Sequence, residues 1–255
     1  MDKAAIDPSA FVENEKLLGA NTRVRPGARI EGDVKTGEKV LIDSNTIIIG
    51  PIKIGDRTYI GPNCVIGHPN VSELNELRIA HHIKSKAPTV IGRDCVIRSG
   101  CTIYSAVSVG ESVVFGHNVM LREDVVVGNK TKLGTNSVID GKSSIGSNVS
   151  IQTGVYICTY STVEDGVFLG PCCVFANDKY MVQKEFRLIG PTVKRGASVG
   201  ANAILFPGVV VGEGAVVGAQ AMVHQNVPPR SIYAGLPAKK IRDVPVDWRS
   251  SLLQR

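Results

Sequence analysis

IGRDCV IRSGCT IYSAVS VGESVV FGHNVM LREDVV, residues 91–126, repeats every six residues. Each hexad opens on a large apolar residue: Ile91, Ile97, Ile103, Val109, Phe115, Leu121. Its fifth place holds a small or β-branched one: Cys95, Cys101, Val107, Val113, Val119, Val125. Working outward, the same phase continues without a gap to Leu169. An earlier run, Ile6 to Ile66, breaks only at Thr36, and a third covers Val193 to Val223. Of 31 opening positions, 29 are Ile, Leu or Val, far more than chance allows in a chain that is 43% hydrophobic. An amphipathic helix would repeat near 3.6 and a half-buried strand at two. A period of six, with one large and one small inward residue, suits a short strand followed by a sharp turn. Three such units close an 18-residue coil, and stacked coils bury a continuous core. The pattern predicts an all-β chain, a left-handed parallel β-helix. Gly follows many of the opening residues, as at Gly55, Gly92, Gly128, Gly200 and Gly218, and is expected where the backbone turns tightly.

Composition narrows the function. The formal net charge is +6, yet no basic run reaches five residues, so no nucleic-acid partner is expected. No charged-then-apolar leader opens the chain. No apolar run approaches the roughly 20 residues of a membrane-spanning helix, so no membrane span is expected and the location reads as cytoplasmic. The six cysteines form no CxxC pair. Cys64, Cys95, Cys101 and Cys173 take the small inward place and read as packing. Cys158 and Cys172 fall on outward or turn positions and read as exposed thiols.

The register fails twice. Residues 72–90 are polar and basic, and the phase shifts across them. Residues 177–192 leave the pattern with the phase kept, as if one coil were partly replaced by a loop. Both are expected to extrude, and loops on a rigid scaffold often carry function. Pro228 and Pro229 are expected to end the strands. The division read from these features is a β-helix domain over 1–238, with loops 72–90 and 177–192, and a C-terminal extension over 239–255. The extension is expected to hold a short strand and a helix covering the open end of the last coil.

Several segments carry a resemblance to a known family. They are VSIQTGVYICTYSTVEDGVFLGPCCVFANDKY, with the GANA, LFPGV, VPP and GLPAK elements that follow. Over about residues 6–240 the chain resembles the hexapeptide-repeat acyltransferases. TVIGRDCVIRSGCTIYSAVSVGESVVFGHNVMLRE, with NDKY later, is most similar to the sugar-nucleotide N-acetyltransferases. The resemblance implies acetyl-CoA as co-substrate, an amino-deoxysugar linked to a dTDP or UDP nucleotide as acceptor, and a homotrimer with sites between neighbouring copies.

Acyl transfer from a thioester to an amine needs a neutral amine and donors where oxyanion charge develops. Asn177 and Asp178, at the mouth of the second loop, are the expected positioners of the amine. Asp178 either takes its proton or attracts its ammonium form. His117, two residues after an inward Phe115, points outward and is a candidate base. By 18-residue arithmetic Glu123, Gly141, Thr159 and Asn177 share one corner, whereas His117 and Asn177, 60 apart, do not. The two then meet only if a neighbouring copy supplies His117. Glu123, Thr159 and Tyr180 are the expected substrate contacts, with His81 and Lys84 of the first loop toward phosphates. Gly200, Ala201, Gly218 and Ala219 leave backbone open to a pantetheine arm, while Lys194, Arg195, Lys239, Lys240 and Arg242 are placed to meet coenzyme A phosphates. A zinc carbonic anhydrase would need three converging histidines. The five here, at 68, 81, 82, 117 and 224, show no spaced pair along the coils, so no metal is expected. An O-acetyltransferase, another acyltransferase of the same fold such as a fatty-acyl transferase on a nucleotide sugar, and a non-catalytic scaffold are the remaining alternatives.

Overall fold

Strands of two to five residues follow one another at hexad spacing along the chain. The computed structural model describes residues 3–80 and 87–254. It divides into two compact units, Met1–Val125 and Val126–Arg255. Each is a left-handed parallel β-helix with three sheets.

In the first unit Arg23–Val24, Leu41–Ile42 and Tyr59–Ile60 stack in register on one side. Arg29–Glu31, Ile47–Ile49 and Val65–His68 form the second side. Val34–Thr36, Ile52–Ile54, Thr89–Ile91 and Ser108–Val109 form the third. In the second unit the equivalent ladder on one side runs Ser144–Ile145, Thr162–Val163, Thr192–Val193, Val210–Val211. The hexad-opening residues point inward: Ile42, Ile48, Ile60, Ile66, Ile97, Ile139 and Leu169 are fully buried. Burying such a side chain contributes roughly 1.5–3 kcal/mol. The small place is buried too, and its hydroxyls are satisfied internally. Thr46 Oγ1 donates to Gly61 O at 2.7 Å, Thr131 Oγ1 to Gly146 O at 2.8 Å, and Ser143 Oγ to Cys158 O at 3.0 Å.

The glycines do a different job from the one expected. Gly92 and Gly200, just after opening residues, are not in the positive-φ region. A Cβ on Gly92 would stand 2.5 Å from the carbonyl oxygen of Gly110, and one on Gly200 would run into the Ala219 backbone. These glycines allow coils to approach. The left-handed turn lies two residues later, and Asn63, Asp94, Ser112, Lys130 or Gln220 fill it with φ near +57. The same crowding corrects Cys158. It occupies a close-approach place, is buried, contacts Ser161 Oγ at 3.4 Å, and burial pushes its thiol up to about 11. Cys172 is exposed, as read.

Both interruptions differ in detail from expectation. Across the first, partners one coil apart are 37 residues apart instead of 18. Part of the insertion is helix α1, Val71–Ala80, and Thr89–Ile91 already belongs to a strand. Across the second, Thr162 pairs with Thr192, 30 residues on, so no coil is lost. Twelve extra residues leave between two sides of a complete coil. The strands do not end at Pro229. Ser231–Ala234 pairs parallel with Val216–Val217, and Lys239–Asp243 pairs antiparallel with it. The tail then runs back along a corner and ends in a 3-10 turn, Ser251–Gln254. Leu253 lies against Gly166 and Gly196, where the absence of side chains makes room.

Candidate functional site

The second unit brings several expected residues to one corner. The strands Tyr156–Ile157 and Val174–Phe175 are neighbours in one sheet, so Thr159 and Asn177 follow them on adjacent turns. Asn177 Nδ2 donates to Thr159 O at 3.3 Å, and Ile189 N donates to Asn177 O at 3.1 Å. Asn177 thus closes the mouth of the loop. Asp178 shapes its outbound arm. Its Oδ1 accepts from the amides of Tyr180 (2.9 Å) and Met181 (3.1 Å), and its Oδ2 from that of Val182 (2.8 Å). These bonds, that from Tyr180 foremost, hold its carboxyl below the ordinary carboxylate range. Hydrogen bonds to the charged form have that sign. A carboxylate so held is a poor proton acceptor and a steady attractor of cations. Met181 and Val182 sit at φ +50 and +59, exposed at the tip. Tyr180 meets Phe186 edge-on at 5.4 Å, with Lys184 Nζ 5.4 Å and Lys179 Nζ 5.8 Å from its ring centre. A cavity of about 500 Å³ opens beside the returning arm, lined by Tyr160, Arg187, Leu188 and Ile189. Tyr160 and Arg187 were not read from the sequence, since neither holds a fixed place in the hexad pattern of inward residues.

His117, in the first unit, is exposed on the turn after Val114–Phe115, with Nδ1 2.8 Å from Ser99 Oγ. Ser99 stands 18 residues earlier, so the register alone places it there. Such a bond orients an imidazole. Glu123 is ion-paired to Arg122 at 2.9 Å, and the guanidinium lies 5.1 Å over Tyr104. Tyr104 in turn meets the ring of His68 at 4.7 Å. His81 and Lys84 lie outside the described residues.

Among the expected coenzyme contacts, Gly200 and Gly218 are packed by the next coil, and their amides donate to Val217 O and Tyr233 O. The side facing the next coil is therefore closed, while Gly200, Gly218 and Ala201 stay half-buried and Ala219 is exposed. Lys194 Nζ donates to Glu164 Oε1 at 2.7 Å, and Glu164 Oε2 accepts from Arg195 N at 3.0 Å. The Lys194 bond comes first in keeping the Glu164 carboxyl below its usual range. Lys239 and Arg242 lie on the exposed strand Lys239–Asp243, and Arg242 stacks 5.8 Å from the Trp248 ring centre. Among the described residues no three metal-ligating side chains converge, and no helix is long and apolar enough to cross a membrane.

The sequence profile of the bacterial transferase hexapeptide (six repeats) matches residues 33–68, and that of the hexapeptide repeat of succinyl-transferase matches 195–223. Two stretches of the chain thus carry the hexapeptide repeat found in bacterial transferases. Galactoside O-acetyltransferase of Escherichia coli (strain K12) is 28% identical over 89 residues, 32% of this chain and 44% of that protein. The 2,3,4,5-tetrahydropyridine-2,6-dicarboxylate N-acetyltransferase of Staphylococcus aureus (strain JH9) is 52% identical over 44 residues, 17% of this chain and 18% of that one. The chain therefore spans less than half the length of the curated relatives it matches. Arabidopsis UDP-N-acetylglucosamine acyltransferase shares the hexapeptide-repeat fold with a TM-score of 0.51 at 17% identity, over 94% of this chain and 73% of that one.

Proposed function

We propose that this hexapeptide-repeat protein moves an acetyl group from acetyl-CoA to the amine of a nucleotide-linked amino-deoxysugar. The observation that carries the reading is the loop mouth. Asp178 is an anion held there by three backbone amides, beside Asn177 and a cavity lined by Tyr160 and Arg187. The anion attracts the sugar's ammonium form, and Arg187 offers a partner to the nucleotide's phosphates. Once the amine has lost its proton to solvent or a base, its nitrogen attacks the thioester carbonyl. The N–C bond forms, the C–S bond breaks, coenzyme A leaves as the thiolate, and the extra proton on the nitrogen passes to that thiolate or to solvent. The named acetyltransferases among the relatives supply the acyl donor in this reading.

A trimer completes the site by bringing His117 from a neighbouring copy. One outward face of the second unit favours self-association. Tyr156, Val174 and Ile204, consecutive on one sheet, are each more than a third exposed, and light scattering measures the assembly directly. A second reading, O-acetylation, is favoured by the Ser99–His117 pair, because a hydroxyl needs a general base where a neutral amine needs none.

Protein, acetyl-CoA and a panel of dTDP- and UDP-linked amino sugars are mixed, and free thiol is followed. An amino sugar that accelerates release well above water supports the proposal. Release driven equally by the hydroxyl analogue supports O-acetylation. Release unaffected by every sugar nucleotide refutes both.

A further inference from the structure

Nearly every hexad places one residue in the left-handed region, and in about half of them Asn, Asp, Lys or Ser takes it. One corner of the second unit departs from this. There Gly166, Gly196 and Gly214 hold φ of +65, +65 and +60 in three successive coils. Gly196 N donates to Asp165 O and Gly214 N to Arg195 O, so the three glycines stack directly. Conformation alone does not require glycine here, since Lys130, Asn148 and Arg230 adopt the same φ in the same row. What the glycines remove is side chain, and the result is a channel along the corner.

The C-terminal tail lies over that channel as a strap. Leu253 Cδ1 is 3.0 Å from where a Gly196 Cβ would stand, and Ser250 Oγ donates to Gly166 O at 2.7 Å. At the other end the Arg230 guanidinium donates to Pro245 O at 2.7 Å, Trp248 O at 3.2 Å and Val244 O at 3.3 Å. The strap fills only part of the channel. Under it remains a cavity of about 750 Å³, walled by Arg195, Ser198 and Glu213 on the coils and Asp247, Trp248 and Arg249 on the strap. That volume lies in the range of small-molecule sites.

We propose that the strapped glycine channel binds a nucleoside phosphate. The wall chemistry selects the class. Arg195 carries a guanidinium fork suited to phosphate, and Arg249, whose Nη1 donates to Val246 O at 2.7 Å and Trp248 O at 3.1 Å, adds positive charge and its remaining N–H groups. Trp248 offers a ring face for a base. Glu213 and Asp247 repel a bare anion but accept hydrogen bonds from ribose hydroxyls or an exocyclic amine. A bare phosphate uses half of this wall, whereas a nucleotide uses all of it. The site deepens the acetyl-transfer reading and rests on it for the choice of probes, coenzyme A's adenosine end or the nucleotide of the sugar.

Trp248 is the single tryptophan in the chain, so its fluorescence reports on this cavity directly. The full-length protein is titrated with adenosine 3′,5′-bisphosphate, UDP, dTDP and pyrophosphate. Saturable change with at least one nucleotide, at least tenfold tighter than with pyrophosphate, is expected. The adenosine probe marks coenzyme A as the source, and UDP or dTDP marks the sugar nucleotide. Arg195→Ala is expected to weaken the binding at least tenfold. Gly196→Asn keeps the required φ but unseats Leu253, and is expected to do the same. Leu253→Ala tests the strap without touching the coil. No change with any nucleotide, or pyrophosphate binding as tightly as they do, overturns the proposal. Nucleotide binding in a protein that releases no thiol refutes acetyl transfer and leaves this site standing; thiol release without a Trp248 response does the reverse.

Discussion

Helix α1 is tied to its scaffold through a buried carboxylate, whereas loop 177–191 is shaped by a carboxylate bound to amides of the loop itself. Glu73 accepts from Asn70 N at 2.8 Å and reaches Ser105 Oγ at 2.6 Å, while Asn70 Oδ1 accepts from Glu73 N at 3.0 Å. That reciprocal cap starts the helix, and the bond to Ser105 fixes it to the coil. Asp178 instead holds Tyr180, Met181 and Val182, two of them at positive φ, on a loop whose tip is exposed. Helix α1 is part of the folded body. The second insertion keeps its charge at the surface and its shape by local bonds, and strained backbone of this kind is concentrated at functional sites.

The contrast breaks most visibly on the first insertion. Glu73→Ala strands the buried Ser105 hydroxyl, at about 1–3 kcal/mol. In a chain of this size each kcal/mol lowers Tm by roughly 2–4 °C. Glu73→Gln, which keeps an acceptor, is expected to recover much of the loss. Melting of Glu73→Ala at the wild-type temperature would show that the carboxylate is no anchor. A smaller effect sharpens the second insertion. Because the folded Asp178 carboxyl is held below its usual 3.8, its contribution is fully present above that pH and is lost as pH falls through the lowered value. Exchange of the 180–182 amides, followed by NMR, is expected to stay slow at pH 5 and to quicken only below the ordinary carboxylate range. Quickening already between pH 5 and 4 contradicts the assignment. The smallest effect is Val182→Asn. It replaces a β-branched residue by one that tolerates φ of +59, and is expected to slow proteolysis of the loop about twofold with Tm unchanged within a degree.

The inward columns were legible because burial acts on the same two places of every hexad, one large and one small, and the core from Ile42 to Val223 follows them. The glycines were legible as positions but not as causes, because a sequence does not distinguish a residue that must turn from one that must be approached. Residues 72–90 read as a polar extruded loop, and α1 with its Asn70–Glu73 cap was missed, because both the cap and the anchor to Ser105 are polar side chains, which an apolar periodicity does not register. Ser99 follows from the 18-residue register with His117. Glu164 does not follow for Lys194, because the twelve inserted residues change that spacing to 30. The Tyr160–Arg187 cavity depends on where a loop folds back, which no repeat encodes.

Turnover of Asp178→Ala and Asn177→Ala, set beside their melting temperatures, tests most directly whether the second insertion recognises the acceptor. The proposed role predicts that each variant loses tenfold or more in thiol release, about 1.4 kcal/mol or more of transition-state stabilisation, while Tm stays within two degrees of the wild type. Unchanged release from both variants would contradict it and return Asn177 and Asp178 to the shaping of a loop.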